Sequence, residues 1–330
     1  MRKRTLFLLG IVALLFGQCS TQQNEKQTQT QNSNTPIEPT DVANLKITTL
    51  STMLANRGIG EWGYAALVEV NEHKILFDTG RKPETVLNNA EELGIDLSEV
   101  EHVFLSHNHG DHTGGLFTLR ENLKQQNPKA MSKIHVGEGI FAPRINANNR
   151  MLDLKAELEA DGVQFFTHKK SFELFPDVWI TGPIERIHPE KNYGDRWQID
   201  TDDGPIPDNI PEDQSLVINT DKGFIVVAGC GHAGIINTLA HVTSKITNKN
   251  IHAIIGGLHL VTATDEQLAW TANNLREYGV EKIIGAHCTG INSLYALRQL
   301  LDLDRKNAVV GSVGDDFTLA EGINPGIIAK

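Results

Sequence analysis

Four ligand-type side chains within six positions are the residues of this sequence most suited to chemistry: His107, His109, Asp111 and His112. On an extended chain, residues two positions apart project to the same side, so His107 and His109 can bind one cation together. Gly110 allows the backbone to turn, which directs Asp111 and His112 towards the same pocket. Imidazole and carboxylate groups suit zinc or another divalent transition metal. The cluster therefore predicts a metal site, since core packing does not explain four such residues together.

Predicted secondary structure holds this cluster between rigid elements. A buried strand is predicted immediately before it, over His102–Ser106, and a helix after it, over Thr113–Gln126. Three further histidines follow strand-like runs or paired glycines: His232, His259 and His287. His259 could line the pocket and contact substrate, or it could hydrogen-bond to backbone, and both interpretations stay open. Four other histidines lack such a context and are expected at the surface or in the core: His135, His168, His241 and His252.

Short apolar runs alternate with helical patterns from Leu45 onward. Two blocks of strands with interspersed helices predict an α/β fold in which two sheets pack face to face and helices cover the outside. The acidic, proline-rich segment Ile187–Pro211 has no clear period and is predicted to be a long loop, either a lid or an exposed insertion without a role. Further predicted helices cover Pro83–Leu93, Leu152–Ala160, Ile235–Thr247, Glu266–Tyr278 and Asn292–Leu301.

The pattern His-x-His-x-Asp-His after a hydrophobic strand resembles the metallo-β-lactamase superfamily, and the resemblance extends over most of Leu45–Val313. It implies a four-layer αββα sandwich, which agrees with the two predicted sheets. Further motifs resemble one branch of the superfamily, often called dihydropteroate synthase-like or ribofuranosylaminobenzene 5′-phosphate synthase-like. These motifs are Glu61-Trp62-Gly63, Leu76–Gly80, Gly229–Gly234, Gly256–Leu260 and His287–Gly290.

The resemblance implies roles for residues outside the first cluster. His232 is the expected histidine of a first metal and His287 the final ligand of a second, so one or two zinc ions are expected. Asp78 is expected to support the metal-binding loop without binding metal. Cys230 stands where the superfamily has a carboxylate that bridges both metals, so a second ion would be weaker, absent or held partly by the thiolate. Asp213 could supply a carboxylate instead, or it could be a polar residue at a loop end.

The reaction expected from this site is hydrolysis. A hydroxide held between two metal ions would be the nucleophile, because coordination lowers the pKa of water from about 15.7 to roughly 7. Asp111 would ligate the metal and also orient the nucleophile. The name of the branch points to a phosphorylated pterin precursor, but such a cytosolic pathway fits poorly with an exported protein. The expected substrate is therefore a small phosphoester, a cyclic ester or a related compound. The alternatives are a β-lactam or lactone hydrolase and a non-catalytic metal-binding lipoprotein.

Composition narrows the class of partner. The chain is 40% hydrophobic and 22% charged, as is ordinary for a globular protein. Its net charge of −11 argues against a nucleic-acid partner bound by a basic surface. It leaves room for a phosphate-bearing substrate, because bound metal ions can supply local positive charge. The expected partner is therefore a small-molecule substrate.

The amino terminus predicts export. Residues 1–19 resemble a lipoprotein-type signal peptide, with a basic start, a short apolar run and a loose lipobox that ends at Cys19. Gln18 departs from the motif, in which a small residue usually precedes the lipidated cysteine. Residues 20–42 predict a polar, disordered tether, which leaves residues 43–330 as the metallo-β-lactamase-fold hydrolase domain. We expect a periplasmic or outer-membrane-associated lipoprotein anchored to the membrane through Cys19. An ordinary secretory signal is the alternative.

Two cysteines, Cys230 and Cys288, remain in the expected mature domain. A pair of cysteines in an exported protein could form a disulfide. Each, however, lies beside a candidate ligand histidine, so crowding near a metal site explains the pair equally well. Both interpretations stay open.

Overall fold

The computed structural model describes residues 40–145, 147–194, 196–201 and 203–329. The predicted signal peptide, its lipidation site Cys19 and nearly all of the predicted tether lie outside these residues. Among the described residues, no helix has both the length and the apolar character needed to cross a membrane.

The strands of the first half of the chain are β1 (Leu45–Ser51), β2 (Leu54–Ala55), β3 (Ala65–Val70), β4 (His73–Phe77), β5 (His102–Phe104), β6 (Lys133–Gly137), β7 (Arg144–Ile145) and β8 (Gln164–His168). Those of the second half are β9 (Phe172–Phe175), β10 (Val178–Ile180), β11 (Gln198–Ile199), β12 (Ile206–Pro207), β13 (Ser215–Thr220), β14 (Gly223–Ala228), β15 (Ile251–Gly256), β16 (Lys282–Gly285), β17 (Ala308–Val310), β18 (Ser312–Val313), β19 (Asp316–Thr318) and β20 (Gly322–Asn324).

The α-helices are α1 (Thr85–Leu93), α2 (Gly110–Thr113), α3 (Leu116–Leu123), α4 (Arg150–Ala160), α5 (Ile235–Lys245), α6 (Asp265–Glu277) and α7 (Ile291–Leu300). A 3-10 turn covers His287–Thr289 between β16 and α7.

Most strands belong to two large sheets. The first has eight strands in the order β20-β19-β1-β3-β4-β5-β6-β8, and the second has seven in the order β17-β16-β15-β14-β13-β10-β9. Strands β4, β5, β6 and β8 run parallel, as do β14, β15, β16 and β17. Carboxyl ends of parallel strands meet at one edge of a sheet, which is where ligands bind in α/β folds.

The side chains of β3 show how the layers are built. Ala66 and Val68 pack into a core shared with strands of the second sheet, whereas Ala65 and Leu67 pack against α1, α3 and α4 on the outer face. The second sheet is covered in the same way by α5, α6 and α7. Each fully buried Leu or Val side chain stabilises the fold by about 1.5–3 kcal/mol. The predicted four-layer αββα sandwich is confirmed.

One predicted helix is wrong in its continuity. The helix expected over Thr113–Gln126 is divided into α2 and α3 at Gly114 and Gly115. A Cβ atom on Gly114 would lie 1.9 Å from the carbonyl oxygen of Arg81, and the Gly114 amide donates to the Gly80 carbonyl at 2.9 Å. Close backbone contact with a distant loop therefore interrupts the helical pattern.

The expected long loop over Ile187–Pro211 is also partly wrong. It contains β11 and β12, which pair with each other and with β7 in a separate three-stranded sheet. These strands have two residues each, too few to give an alternating pattern.

Candidate metal centre

The predicted ligands come together where strands of both sheets end. Asp78 follows β4 and the first histidine cluster follows β5, whereas His232, His259 and His287 follow β14, β15 and β16. The topology therefore joins one edge of the first sheet to the corresponding edge of the second.

The first set of donor atoms comes from His107, His109 and His232, each within 4.8 Å of the others. Nδ1 of His107 lies 2.9 Å from the Ser106 hydroxyl, and Nδ1 of His232 lies 2.5 Å from the Asn192 carbonyl oxygen. The Nε2 atoms of both rings are buried without a hydrogen-bond partner. Buried polar atoms are rarely left in that state, so these two nitrogens point to a ligand between them.

The second set comes from Asp111, His112 and His287, again within 4.8 Å of one another. Nε2 of His287 lies 3.4 Å from Asp111 Oδ2 and 3.3 Å from Nε2 of His112. Asp111 is the most exposed member of this set, with 19% of its side chain accessible. It therefore lies where the centre opens to solvent.

Asp78 connects the two sets without belonging to either. Its Oδ2 accepts hydrogen bonds from the Ser106 hydroxyl and from Nδ1 of His112, both at 2.7 Å. Because the Ser106 hydroxyl donates to Asp78, its oxygen accepts a hydrogen bond from Nδ1 of His107. The rings of His107 and His112 therefore both direct Nε2 towards the centre. This arrangement agrees with the expected supporting role of Asp78.

A glycine makes room for this network. A Cβ atom on Gly229 would lie 2.1 Å from the Ser106 hydroxyl and 2.8 Å from Asp78 Oδ2. Only a residue without a side chain allows β14 of the second sheet to approach the supporting groups of the first.

Electrostatics favour neutral rings in the first set. Burial lowers the pKa of His109 to about 4 and lowers the pKa values of His107 and His232 well below their ordinary range. Burial also opposes protonation of His112, but the Asp78 carboxylate outweighs it and raises the pKa of His112 to about 9. Neutral imidazole with a free nitrogen is the form that binds zinc, so the first set fits a transition metal.

Cys230 lies among the donors. Its sulfur is 3.0 Å from Sγ of Cys288 and 3.5 Å from Nδ1 of His259, and it clusters with the donor atoms of His107 and His112. Both cysteines are buried free thiols, and burial raises the pKa of Cys230. The geometry permits Cys230 to contact a metal, and the His259 ring faces the Cys230 sulfur.

Asp213 belongs to none of the candidate metal-binding clusters among the described residues. Its Oδ2 accepts a hydrogen bond from the backbone amide of Ala233 at 2.7 Å, next to His232. Burial raises the pKa of Asp213 to about 7. The carboxylate therefore supports the loop that carries His232.

Two residues of the centre had no role in the sequence prediction beyond their motif. The buried Glu61 carboxylate accepts from the backbone amides of Arg81 and Lys82 at 2.8 and 3.0 Å, which fixes the loop that contacts Gly114. The Trp62 ring lies 4.8 Å from the His287 ring and is 41% exposed. Trp62 therefore lies at the solvent-exposed edge of the centre, beside His287. Their neighbours in space are far away in sequence, so spacing gave no signal for either role.

The four histidines without a ligand context lie apart from these clusters. His135, His168, His241 and His252 are buried, and none belongs to a candidate metal-binding cluster among the described residues.

The sequence profile described as "Metallo-beta-lactamase superfamily" matches residues 63–239. The chain belongs to this superfamily. The match includes the first histidine cluster and His232, and the fold and site geometry agree with it.

Alignments with similar proteins cover most of the chain. A Methanocaldococcus jannaschii protein named 7,8-dihydropterin-6-methyl-4-(beta-D-ribofuranosyl)-aminobenzene-5′-phosphate synthase is 32% identical over an alignment of 266 positions, which covers 76% of this chain and 90% of that protein. A crystal structure described as a metal-dependent hydrolase of the beta-lactamase superfamily is 24% identical, with a TM-score of 0.64, and the match covers 83% of this chain and 98% of that one. The metallo-beta-lactamase-fold protein YhfI from Bacillus subtilis is 13% identical over 83% of this chain and 99% of its own, with a TM-score of 0.51. The two structures show the fold alone.

Proposed function

We propose that this protein is a metal-dependent hydrolase that uses zinc, or another divalent transition metal, to cleave a small phosphoester, cyclic ester or related substrate. One observation carries the proposal: two donor sets lie side by side, and the Nε2 atoms of His107 and His232 are buried without partners. A site for catalysis also needs access for substrate, and the exposed edge at Asp111 and Trp62 supplies it.

The chain's own residues divide the work of the proposed reaction. One ion would be held by His107, His109 and His232, and a second by Asp111, His112 and His287, with Cys230 beside both. Such ions supply Lewis acidity towards water and towards the scissile group. The Asp111 carboxylate is the residue we propose as catalytic. An ionised carboxylate only accepts hydrogen bonds, so it orients a water molecule by holding one of its protons.

A phosphate-bearing substrate is supported by the name of the M. jannaschii relative, whose product carries a 5′-phosphate. The same name ends in "synthase", so a reaction that forms a bond rather than cleaving one is the second candidate for this chain. The net charge of −11 means that the metal ions would supply the positive charge that attracts a phosphate group.

We also propose that the protein is exported and anchored through a lipid on Cys19. The support is the sequence pattern of residues 1–42, a basic and apolar start followed by a polar tether.

The purified zinc-loaded protein should cleave at least one member of a panel made of bis(4-nitrophenyl) phosphate, a γ-lactone and a β-lactam. Asp111→Asn should lower the rate by about a hundredfold or more even where the ion held by His107, His109 and His232 remains bound, because a positioned proton-accepting group typically contributes that much. Zinc binding without turnover on any substrate would favour the non-catalytic metal-binding protein instead.

A further inference from the structure

Residues 187–192 lie over the amino-terminal end of α5 and over His232. We call this segment the strap. Helix α5 begins after Gly234, which has no side chain to cap the first amides. The Glu190 carboxylate takes that place from the strap. It accepts from the Ile236 amide at 3.2 Å through Oε1 and from the Asn237 amide at 2.8 Å through Oε2. A carboxylate at a helix amino terminus is stabilised by the amides and by the helix dipole.

The buried side chain of Asn237 holds the strap from the helix side. Its Oδ1 accepts from the amides of Ile187 and His188 at 2.7 and 2.6 Å. Its Nδ2 donates to the carbonyls of His188 and Ala233 at 3.2 and 2.8 Å. Four bonds to one amide side chain fix the strap and the helix start as one unit.

Gly234 shows how closely the two segments approach. Its φ is +100°, and a Cβ atom at this position would lie 2.2 Å from Oε2 of Glu190. A larger residue would displace the carboxylate from the helix end.

The end of the strap contacts a candidate metal ligand. The backbone carbonyl of Asn192 accepts from Nδ1 of His232, and the Asn192 side chain donates to the Gly231 carbonyl at 3.0 Å. A carbonyl can only accept, so the proton of the neutral His232 ring is held on Nδ1. The lone pair is then on Nε2, the atom that is buried without a partner beside the donors of His107 and His109.

We propose that the strap is a positioning element for the metal centre: Glu190 locks it onto α5, and the Asn192 carbonyl holds His232 in the tautomer and orientation that bind metal. The inference rests on the metal site of the proposed function, and it holds for any substrate. A partner hydrogen bond to the non-coordinating nitrogen fixes ring orientation, and its loss typically weakens metal binding by about 10–100-fold.

The test compares Glu190→Ala and Glu190→Gln with the unchanged full chain. Zinc dissociation constants are measured by competition with a chromophoric chelator, and circular dichroism verifies that each variant is folded. Glu190→Ala should weaken zinc binding at the site of His107, His109 and His232 by about 10–100-fold. Glu190→Gln keeps one acceptor oxygen, so its effect should be smaller. Glu185→Ala is the matched control, because Glu185 also pairs with α5, through Lys245 at 2.8 Å on the surface.

A second readout separates this inference from the proposed function. Long-range proton–nitrogen NMR of the metal-free protein should find His232 protonated on Nδ1 in the unchanged chain and as a mixture of tautomers in Glu190→Ala. This result would support the strap even if no zinc bound or no substrate were cleaved. A folded Glu190→Ala variant with unchanged zinc affinity and an unchanged His232 tautomer would overturn the proposal.

Discussion

One carboxylate oxygen of Asp78 fixes the orientation of the His107 and His112 rings. Oδ2 accepts hydrogen bonds from the Ser106 hydroxyl and from Nδ1 of His112, and the Ser106 oxygen in turn accepts one from Nδ1 of His107. One candidate ligand of each donor set therefore depends on the same buried carboxylate. The two sets are coupled through a single residue that belongs to none of the candidate metal-binding clusters among the described residues.

The residue expected to affect only the first set is His109. The purified domain should retain at least one zinc ion per chain after dialysis against a weak chelator, because buried imidazoles with free nitrogens bind it strongly. His109→Ala should lower the zinc content by about one ion per chain where two are bound, or abolish tight binding where one is bound. Metal analysis by mass spectrometry measures both, with His73→Ala as a control outside the site. A zinc content near zero in the unchanged protein would contradict the metal site.

The cysteine pair makes a separate prediction. In the domain of residues 43–330, Cys230 and Cys288 are buried free thiols 3.0 Å apart, so no thiol should react in the metal-loaded folded domain and two should react after chelation in denaturant without reductant. Thiol titration counts them, and Cys230→Ser isolates the contribution of Cys288. Zero thiols after chelation would instead identify a disulfide, and reaction of Cys230 in the loaded protein would exclude it as a ligand.

At this scale the sequence predicts contiguous clusters better than supporting residues. His107, His109 and His112 can be recognised from the sequence because they are close together and chemically alike. Asn192 acts through its backbone carbonyl, which every residue type carries, so no residue pattern could identify it. Glu190 caps a helix that begins far along the chain, and that pairing exists only after folding.

Three neighbouring parallel strands of the first sheet carry a row of hydrogen-bonded histidines. Nδ1 of His102 lies 2.9 Å from Nε2 of His135, and Nδ1 of His135 lies 3.0 Å from Nε2 of His168. Strands β5, β6 and β8 thereby share a side-chain ladder on one face. His135 lies in the middle of the row and must donate at one nitrogen and accept at the other, which requires its neutral form.

The ladder predicts acid sensitivity. Burial, assisted by Lys133, lowers the pKa of His102 to about 4, and burial lowers the pKa of His135 to about 3. The unfolded value is about 6.5, so below that pH the unfolded chain binds more protons than the folded one. The free energy of unfolding should therefore be highest above pH 6.5 and fall between pH 6.5 and about 4, by up to about 1.4 kcal/mol per pH unit for each ring.

Urea unfolding of the metal-free protein across this pH range measures the slope. His135→Gln retains a donor and an acceptor without a titrating ring, so its free energy of unfolding should fall less steeply than that of the unchanged chain. Equal slopes for the two proteins would contradict the assignment of the acid sensitivity to the ladder.

Among the elements, most helices and several strands, including the three-residue β5, were predictable, whereas β17 to β20 were not. The predicted end of α1 at Leu93 is confirmed, and Gly94 after it adopts φ +69°, a conformation that favours glycine. The interruption between α2 and α3 was missed because it comes from the backbone near Arg81. Strands β17 to β20 have two or three residues each, too few for a period to be visible.

For the whole chain, the predicted anchoring to the membrane depends on lipidation of Cys19. Cys19→Ser should abolish lipid labelling and release the protein into the soluble fraction, because a diacylated cysteine supplies the two acyl chains that stable anchoring needs. Fractionation of cells that express each form, with metabolic fatty-acid labelling, measures the effect. Membrane association that persists in the variant would leave an ordinary secretory signal as the better interpretation.

The convergence of strand ends has a consequence for the order of assembly. His112 and His287 are 175 positions apart, and their rings meet only when both sheets have formed and docked. Contacts with such sequence separation are costly to close and form slowly. The centre is therefore complete only after most of the chain has folded, and an ion bound there would cross-link the two sheets. Without the ion, this edge is where the sandwich should open first, with hydrogen exchange fastest in the loops after β5, β14 and β16.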